Sequence, residues 1–219
     1  MTSLPILWSK NPAERAGTPL LVLLHGYGAN EADLFGLAEQ LPESFTIASI
    51  RATLPAGPGF AWFPLGPGPD GSLAFDGSEV QQAALELLNL IDQLKDGHST
   101  VSLLGFSQGM AMASTLARHR PADFAAVVGL SGFVLDAAPD DFFRDAELKA
   151  RKLPFFWGRD QADPVVPQPL IEASNQWLNQ HTALTKVLYN GIWHGISAAE
   201  IKHVAEFLTA TVLSSEAAH

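Results

Sequence analysis

VSLLGFSQGMAMASTLARH, residues Val101 to His119, changes character once, at Ser107. Ahead of that serine lies a short apolar run of the kind that forms a buried strand. Behind it lies a segment of small and apolar residues that suits a helix. Between them, Gly105 and Gly109 stand two residues to either side of Ser107. A strand can pass directly into a helix there only if the two backbones come close, and residues without a Cβ permit that approach. The serine is then lifted onto a sharp turn at the mouth of the helix, where unbonded amides gather. A bare G-x-S-x-G string also suits an ordinary glycine-rich turn, so the remaining elements have to decide.

Working outward, short apolar runs recur at Leu20 to Leu24, Phe45 to Ile50, Thr100 to Phe106, Ala125 to Leu130, Leu153 to Trp157 and Thr185 to Tyr189. Helical periodicity separates them at Glu31 to Gln40, Ser78 to Lys95, Gln108 to Arg118, Gln168 to Gln180 and Ser197 to Leu213. Strands alternating with helices predict an α/β fold, with a mostly parallel central sheet covered on both faces. In the second helix, Asp76 or Ser78 can cap the start, and Leu85, Leu88, Ile91 and Leu94 line up at spacings of three. In the last, Ser197 with Glu200 reads as a capping box ahead of Ile201, Val204, Ala205 and Leu208. Pro55 to Gly71 reads as a long aromatic loop without regular structure, and Gly132 to Arg151 as a second irregular insertion carrying Phe133, Phe142 and Phe143.

Composition narrows the partners. Of 219 residues, 47% are hydrophobic and 16% charged, the balance of a chain with a core, and the length suits a single domain over 1–219. Thirteen basic against twenty-three acidic residues leave a net charge of −10, which repels nucleic acid and anionic membrane surfaces. The absence of cysteine excludes disulfides and thiolate chemistry. The run from Leu4 to Trp8 is broken by Pro5 and too short for a signal peptide, and no run is long enough to span a membrane. The expectation is a cytoplasmic protein without stable membrane insertion.

A serine hydroxyl becomes a useful nucleophile only beside a base that a third group orients. His194 follows the last strand and precedes the last helix, so its loop can swing an imidazole over the sheet edge. His181 ends a helix, His203 lies inside one and His219 is terminal. For the acid, the segment after Trp157 offers Asp160 and Asp163. Pro164 favours an extended backbone at Asp163, which is preferred, while Asp160 suits a turn or a partner for Arg159. Two backbone amides would complete the site as an oxyanion hole: that of Gln108, and that of Tyr27 held between Gly26 and Gly28. His25 reads as a brace for this loop.

The segments LLHGYGAN, GFSQGM, DPVVP and YNGIWHGIS, in this order, resemble the phospholipase/carboxylesterase family, which includes bacterial carboxylesterases and acyl-protein thioesterases. The likeness spans Leu20 to the last helix. It implies an α/β-hydrolase fold, Ser107, Asp163 and His194 as triad, and Tyr27 and Gln108 as oxyanion amides. The family's Trp-Phe pair is matched by Trp62 and Phe63, which places them at the substrate site, together with Phe133 and Trp193. This sequence departs in having five residues rather than three from Gly158 to Asp163, a bulkier Tyr27, and Trp193 before the histidine.

The resulting expectation is a serine hydrolase of small-molecule carboxylic esters or thioesters that needs neither metal nor organic cofactor. Bulk at Trp62, Phe63 and Trp193 favours short to medium acyl chains. Two other readings use the same residues: a ligand receptor that has lost turnover, and a lactone or peptide hydrolase.

Overall fold

A computed structural model describes residues 5–68, 72–135 and 141–214. Among them, seven strands form one sheet: β1 (Ile6–Trp8), β2 (Leu20–Leu24), β3 (Thr46–Ile50), β8 (Val101–Phe106), β9 (Ala126–Leu130), β10 (Pro154–Asp160) and β11 (Ala183–Tyr189). Their spatial order is β1-β3-β2-β8-β9-β10-β11, and only β1 runs antiparallel to its neighbour. The expected mostly parallel sheet is what these residues build.

The apolar runs form strands because both faces of the sheet are covered. Leu20, Val22 and Leu24 point into a core shared with α2 (Gly77–Leu94), α3 (Gln108–His119) and α5 (Gln168–His181). Leu21 and Leu23 point into a second core against α6 (Ala198–Leu208) and the segment from Leu34 in α1 (Glu31–Phe35) to Phe45. Because β2, β8, β9, β10 and β11 are parallel, their carboxyl ends and the loops that follow emerge at one edge.

Several expectations need correction. Pro55 to Gly71 is not unstructured: β4 (Leu54–Ala56) pairs with β5 (Gly59–Ala61), and β6 (Gly66–Pro67) with β7 (Leu73–Ala74). Gly57, at φ +58°, makes the tight turn between β4 and β5; residues 69–71 lie outside the described residues. The second insertion contains α4 (Asp145–Arg151), held by a bidentate bridge from Arg118 to Asp145. The buried face of α2 is Val80, Ala84, Leu87, Leu88 and Ile91, while Leu85 is exposed. The helix is rotated from the expected stripe because steps of three and four alternate along it. Asp76 is its cap, accepting from the Ser78 amide. The first helix breaks after Phe35 and resumes as a 3-10 turn at Ala38–Gln40, and the last passes at Thr209 into a π turn.

Candidate active site

Ser107 links β8 to α3 with φ 53° and ψ −116°, a conformation L-residues rarely hold. The surroundings enforce it. A Cβ on Gly105 would run into the backbone of Gly109, and one on Gly109 into the carbonyls of Leu24 and His25. Two glycines therefore let β8, α3 and the end of β2 pack into one small volume. The Ser107 amide is used up on the Leu130 carbonyl of β9 at 2.9 Å, while the next amide, that of Gln108, has no acceptor among the described residues. It opens α3, where the helix dipole adds positive potential.

Above this turn the structure brings together the three side chains that sequence singled out. His194 Nε2 lies 2.9 Å from Ser107 Oγ, and His194 Nδ1 lies 2.9 Å from Asp163 Oδ2. The Phe106 ring packs against the imidazole, with centroids 5.2 Å apart. Burial works to raise the Asp163 carboxyl. The hydrogen bond from His194 and the amides of Val165 and Val166 together outweigh it and hold the group below the ordinary range. Asp163 is thus an acceptor on both oxygens, the state that keeps a proton on Nδ1 and leaves Nε2 free to accept from a hydroxyl.

Asp160 makes the turn contact expected of it, to the Ala162 amide, and has a further task besides. Strand β10 continues through Gly158 and Arg159 to Asp160, so this aspartate is at a strand end and buried. Its Oδ2 accepts from the amides of Ile192 at 2.6 Å and Trp193 at 2.8 Å, and its Oδ1 from Ala162. The Ala162 amide, with those of the 191–193 segment, holds its carboxyl below the ordinary carboxylate range. The loop carrying His194 is thereby clamped by a charge that β10 supplies. The clamp holds Trp193 at φ 56°, a left-handed backbone costly for an aromatic residue.

On the other side of Ser107, the His25 ring is buried between the Gly26 carbonyl on Nδ1 and the Ala52 amide on Nε2. Since Nε2 accepts, the proton sits on Nδ1. Desolvation lowers the pKa of this ring, and it braces its loop as a neutral group. Gly28, at φ +77°, turns the chain back so that its own amide meets Phe60. The Tyr27 amide has no acceptor among the described residues, and its side chain is exposed.

Trp62 and Phe63 belong to this brace. The Trp62 indole donates to the His25 carbonyl at 2.8 Å, and its amide donates to Gln108 Oε1 at 3.0 Å. Gln108 Nε2 in turn donates to the Phe63 carbonyl at 2.7 Å. The fully buried Gln108 side chain fastens the Trp62 segment to the start of α3, a role sequence reasoning had not assigned. Phe63 and Phe133, each 1% exposed, face the core, whereas Trp193 is 62% exposed beside His194. The other histidines lie elsewhere: His181 stacks on Trp177, His203 meets the Tyr189 hydroxyl, and His219 lies outside the described residues.

A serine elbow at the carboxyl edge of a parallel sheet, with an imidazole delivered by the loop after the last strand, is the architecture of an α/β hydrolase. Residues 10–212 match the model of the phospholipase/carboxylesterase family, and the chain belongs to that family, whose members hydrolyse ester bonds. Among solved structures, the carboxylesterase of Bacillus cereus superposes with a TM-score of 0.78 at 20% identity, covering 96% of this chain and 95% of that one. The carboxylesterase of Mesorhizobium loti gives 0.76 at 20% identity over 95% and 97%. Acyl-protein thioesterase 2 of Zea mays gives 0.75 at 21% identity over 95% and 99%. At such identities the likeness speaks for the fold. No curated protein matches the chain. Among the described residues, no helix is long and apolar enough to cross a membrane.

Proposed function

We propose that the protein hydrolyses small carboxylic esters, or the corresponding thioesters, through an acyl-enzyme on Ser107. The supporting observation is the relay of two 2.9 Å contacts from Ser107 to His194 to Asp163. Ser107 Oγ attacks the carbonyl carbon while His194 Nε2 takes its proton. The amides of Tyr27 and Gln108 receive the negative charge that develops on the carbonyl oxygen. As the tetrahedral adduct collapses, the imidazolium returns the proton to the departing alcohol or thiol. Water then attacks the acyl-enzyme with His194 again as base, releasing the acid and restoring the serine. Asp163 keeps Nδ1 protonated and stabilises the imidazolium.

In this reading Trp193 and Tyr27 are the aromatic surfaces a substrate meets, and Trp62, Phe63 and Phe133 act from behind by holding the loops. The bulk that favours short to medium acyl chains then comes from the exposed Trp193 and Tyr27. A fluorophosphonate probe and a series of p-nitrophenyl esters provide the test. The wild type should be labelled and turn over butyryl faster than palmitoyl ester, and Ser107→Ala should lose both activities. Labelling that survives in Ser107→Ala would overturn the assignment, and faster palmitoyl turnover would overturn the chain-length preference.

A further inference from the structure

Glu200 is fully buried, and neither of its carboxyl oxygens has a hydrogen-bond partner among the described residues. The expected capping box is only half made: Ser197 Oγ accepts from the Glu200 amide at 3.1 Å, but the Glu200 side chain does not bond back. It turns inward against β10, so close to Gly158 that a Cβ there would strike Oε1. The missing side chain at Gly158 is what makes room for this carboxyl.

The position joins the two ends of the His194 loop. Gly158 and Asp160 lie on the same face of β10, two residues apart, and Asp160 grips the amides of Ile192 and Trp193. Glu200 stands in the first turn of α6, whose cap Ser197 is three residues after His194. The groups facing it are the Tyr189 hydroxyl from β11, itself bonded to His203 of α6, and the apolar Phe156 from β10, while Asp160 lies two residues beyond Gly158 on the same strand face. No cation forms an ion pair with Glu200 among the described residues. A negative charge here would be uncompensated and on the same strand face as Asp160, whereas a neutral acid would fit.

We propose that Glu200 is a positioning residue for His194 that works as the neutral acid, its proton keeping the first turn of α6 seated on Gly158 and its loss loosening the 190–197 loop. Burial favours that form, pushing Glu200 up to about 7, and the Ser197 amide, near enough to pull the other way but not within hydrogen-bond geometry, only partly opposes it. The part of the proposal that concerns activity rests on His194 as the proposed base; the part that concerns the proton does not.

The test compares full-length wild type and Glu200→Gln, whose side chain is neutral at every pH. Three readouts are followed from about pH 5 to about pH 9: the infrared carbonyl band of a protonated carboxylic acid, the melting temperature, and kcat and KM with p-nitrophenyl butyrate. Wild type should keep the acid band above the ordinary carboxylate range and lose it near neutrality, and Glu200→Gln should lack it. Melting temperature and kcat of wild type should fall towards neutrality as the band disappears, with KM little changed, whereas Glu200→Gln should show neither alkaline fall. Should Glu200→Gln not fold, the band in wild type and in Glu200→Met still decides. Superimposable stability curves, or an acid band absent from wild type at about pH 6, would overturn the proposal. Ser107→Ala should show the same band, so failure of the esterase reading and failure of the Glu200 proposal are separable.

Discussion

Asp160 and Asp163 stand three residues apart, and both are held below the ordinary carboxylate range, yet their hydrogen bonds assign them different work. Asp163 bonds an imidazole; Asp160 bonds only backbone amides. In the proposed mechanism Asp163→Asn should leave the fold intact and lower kcat by roughly ten-thousandfold, because an amide cannot hold the required tautomer. Asp160→Asn should also lower the melting temperature, since it replaces a charge-assisted acceptor of several amides by a neutral one. Its effect on kcat should be roughly 10- to 100-fold, through displacement of His194. Kinetics and melts on the two variants check this. An inactive Asp160→Asn beside a fully active Asp163→Asn would exchange their roles. Asp160 accepts while ionised, so its stabilisation is present above the unfolded carboxyl pKa and is lost as pH falls through the lower folded value.

At the scale of elements, the elbow depends on three backbones sharing a space that side chains would otherwise fill. Gly109→Ala places a methyl group on the Leu24 and His25 carbonyls, which belong to β2 and the loop of Tyr27. Backbone cannot yield as a flexible side chain can, so α3 must move outward, at a cost of about 1–3 kcal/mol. Labelling by a fluorophosphonate should fall more steeply than stability, because Ser107 and the Gln108 amide move with α3 while His194 does not. Equal labelling rates in wild type and Gly109→Ala would show that the elbow tolerates the shift. The same close packing explains what was legible in advance. Strands buried on both faces, such as Leu20–Leu24 and Ala126–Leu130, betray themselves by unbroken apolar runs, and the elbow by its glycines. The edge strand Ile6–Trp8 is short and follows a proline, and the end of β10 reads Gly-Arg-Asp, a turn by composition that sheet pairing overrides. The Asp160 clamp, the Gln108 side-chain bridge and the inward turn of Glu200 join residues distant in the chain, and no local pattern encodes such partners.

For the whole molecule, two buried groups, His25 and Glu200, are expected to set the pH range of stability. His25 is held neutral by burial, which lowers it from 6.5. Its unfolded form binds a proton that the folded form refuses, so as pH falls below about 6.5 this group removes stability. Glu200 acts in the opposite sense: raised from 4.5 to about 7, it holds a proton that the unfolded chain has released. Its contribution is complete below the unfolded value and is lost as pH rises through the folded one. Below about 6.5, as far down as the lowered folded value of His25, the two slopes carry opposite signs and offset each other. Below that window, protonation of Asp163 and of Glu31, which Arg51 holds low at 2.5 Å, adds to the loss. The expected profile is a flat summit on the acid side of neutrality, falling on both sides. Glu200→Gln removes only the alkaline slope, so its stability should climb through the former plateau and level off above about pH 6.5. Denaturant melts of wild type and variant at a series of pH values measure this directly. If the wild-type summit lay above neutrality and did not respond to Glu200→Gln, the assignment of the acid-side summit to these two groups would fail.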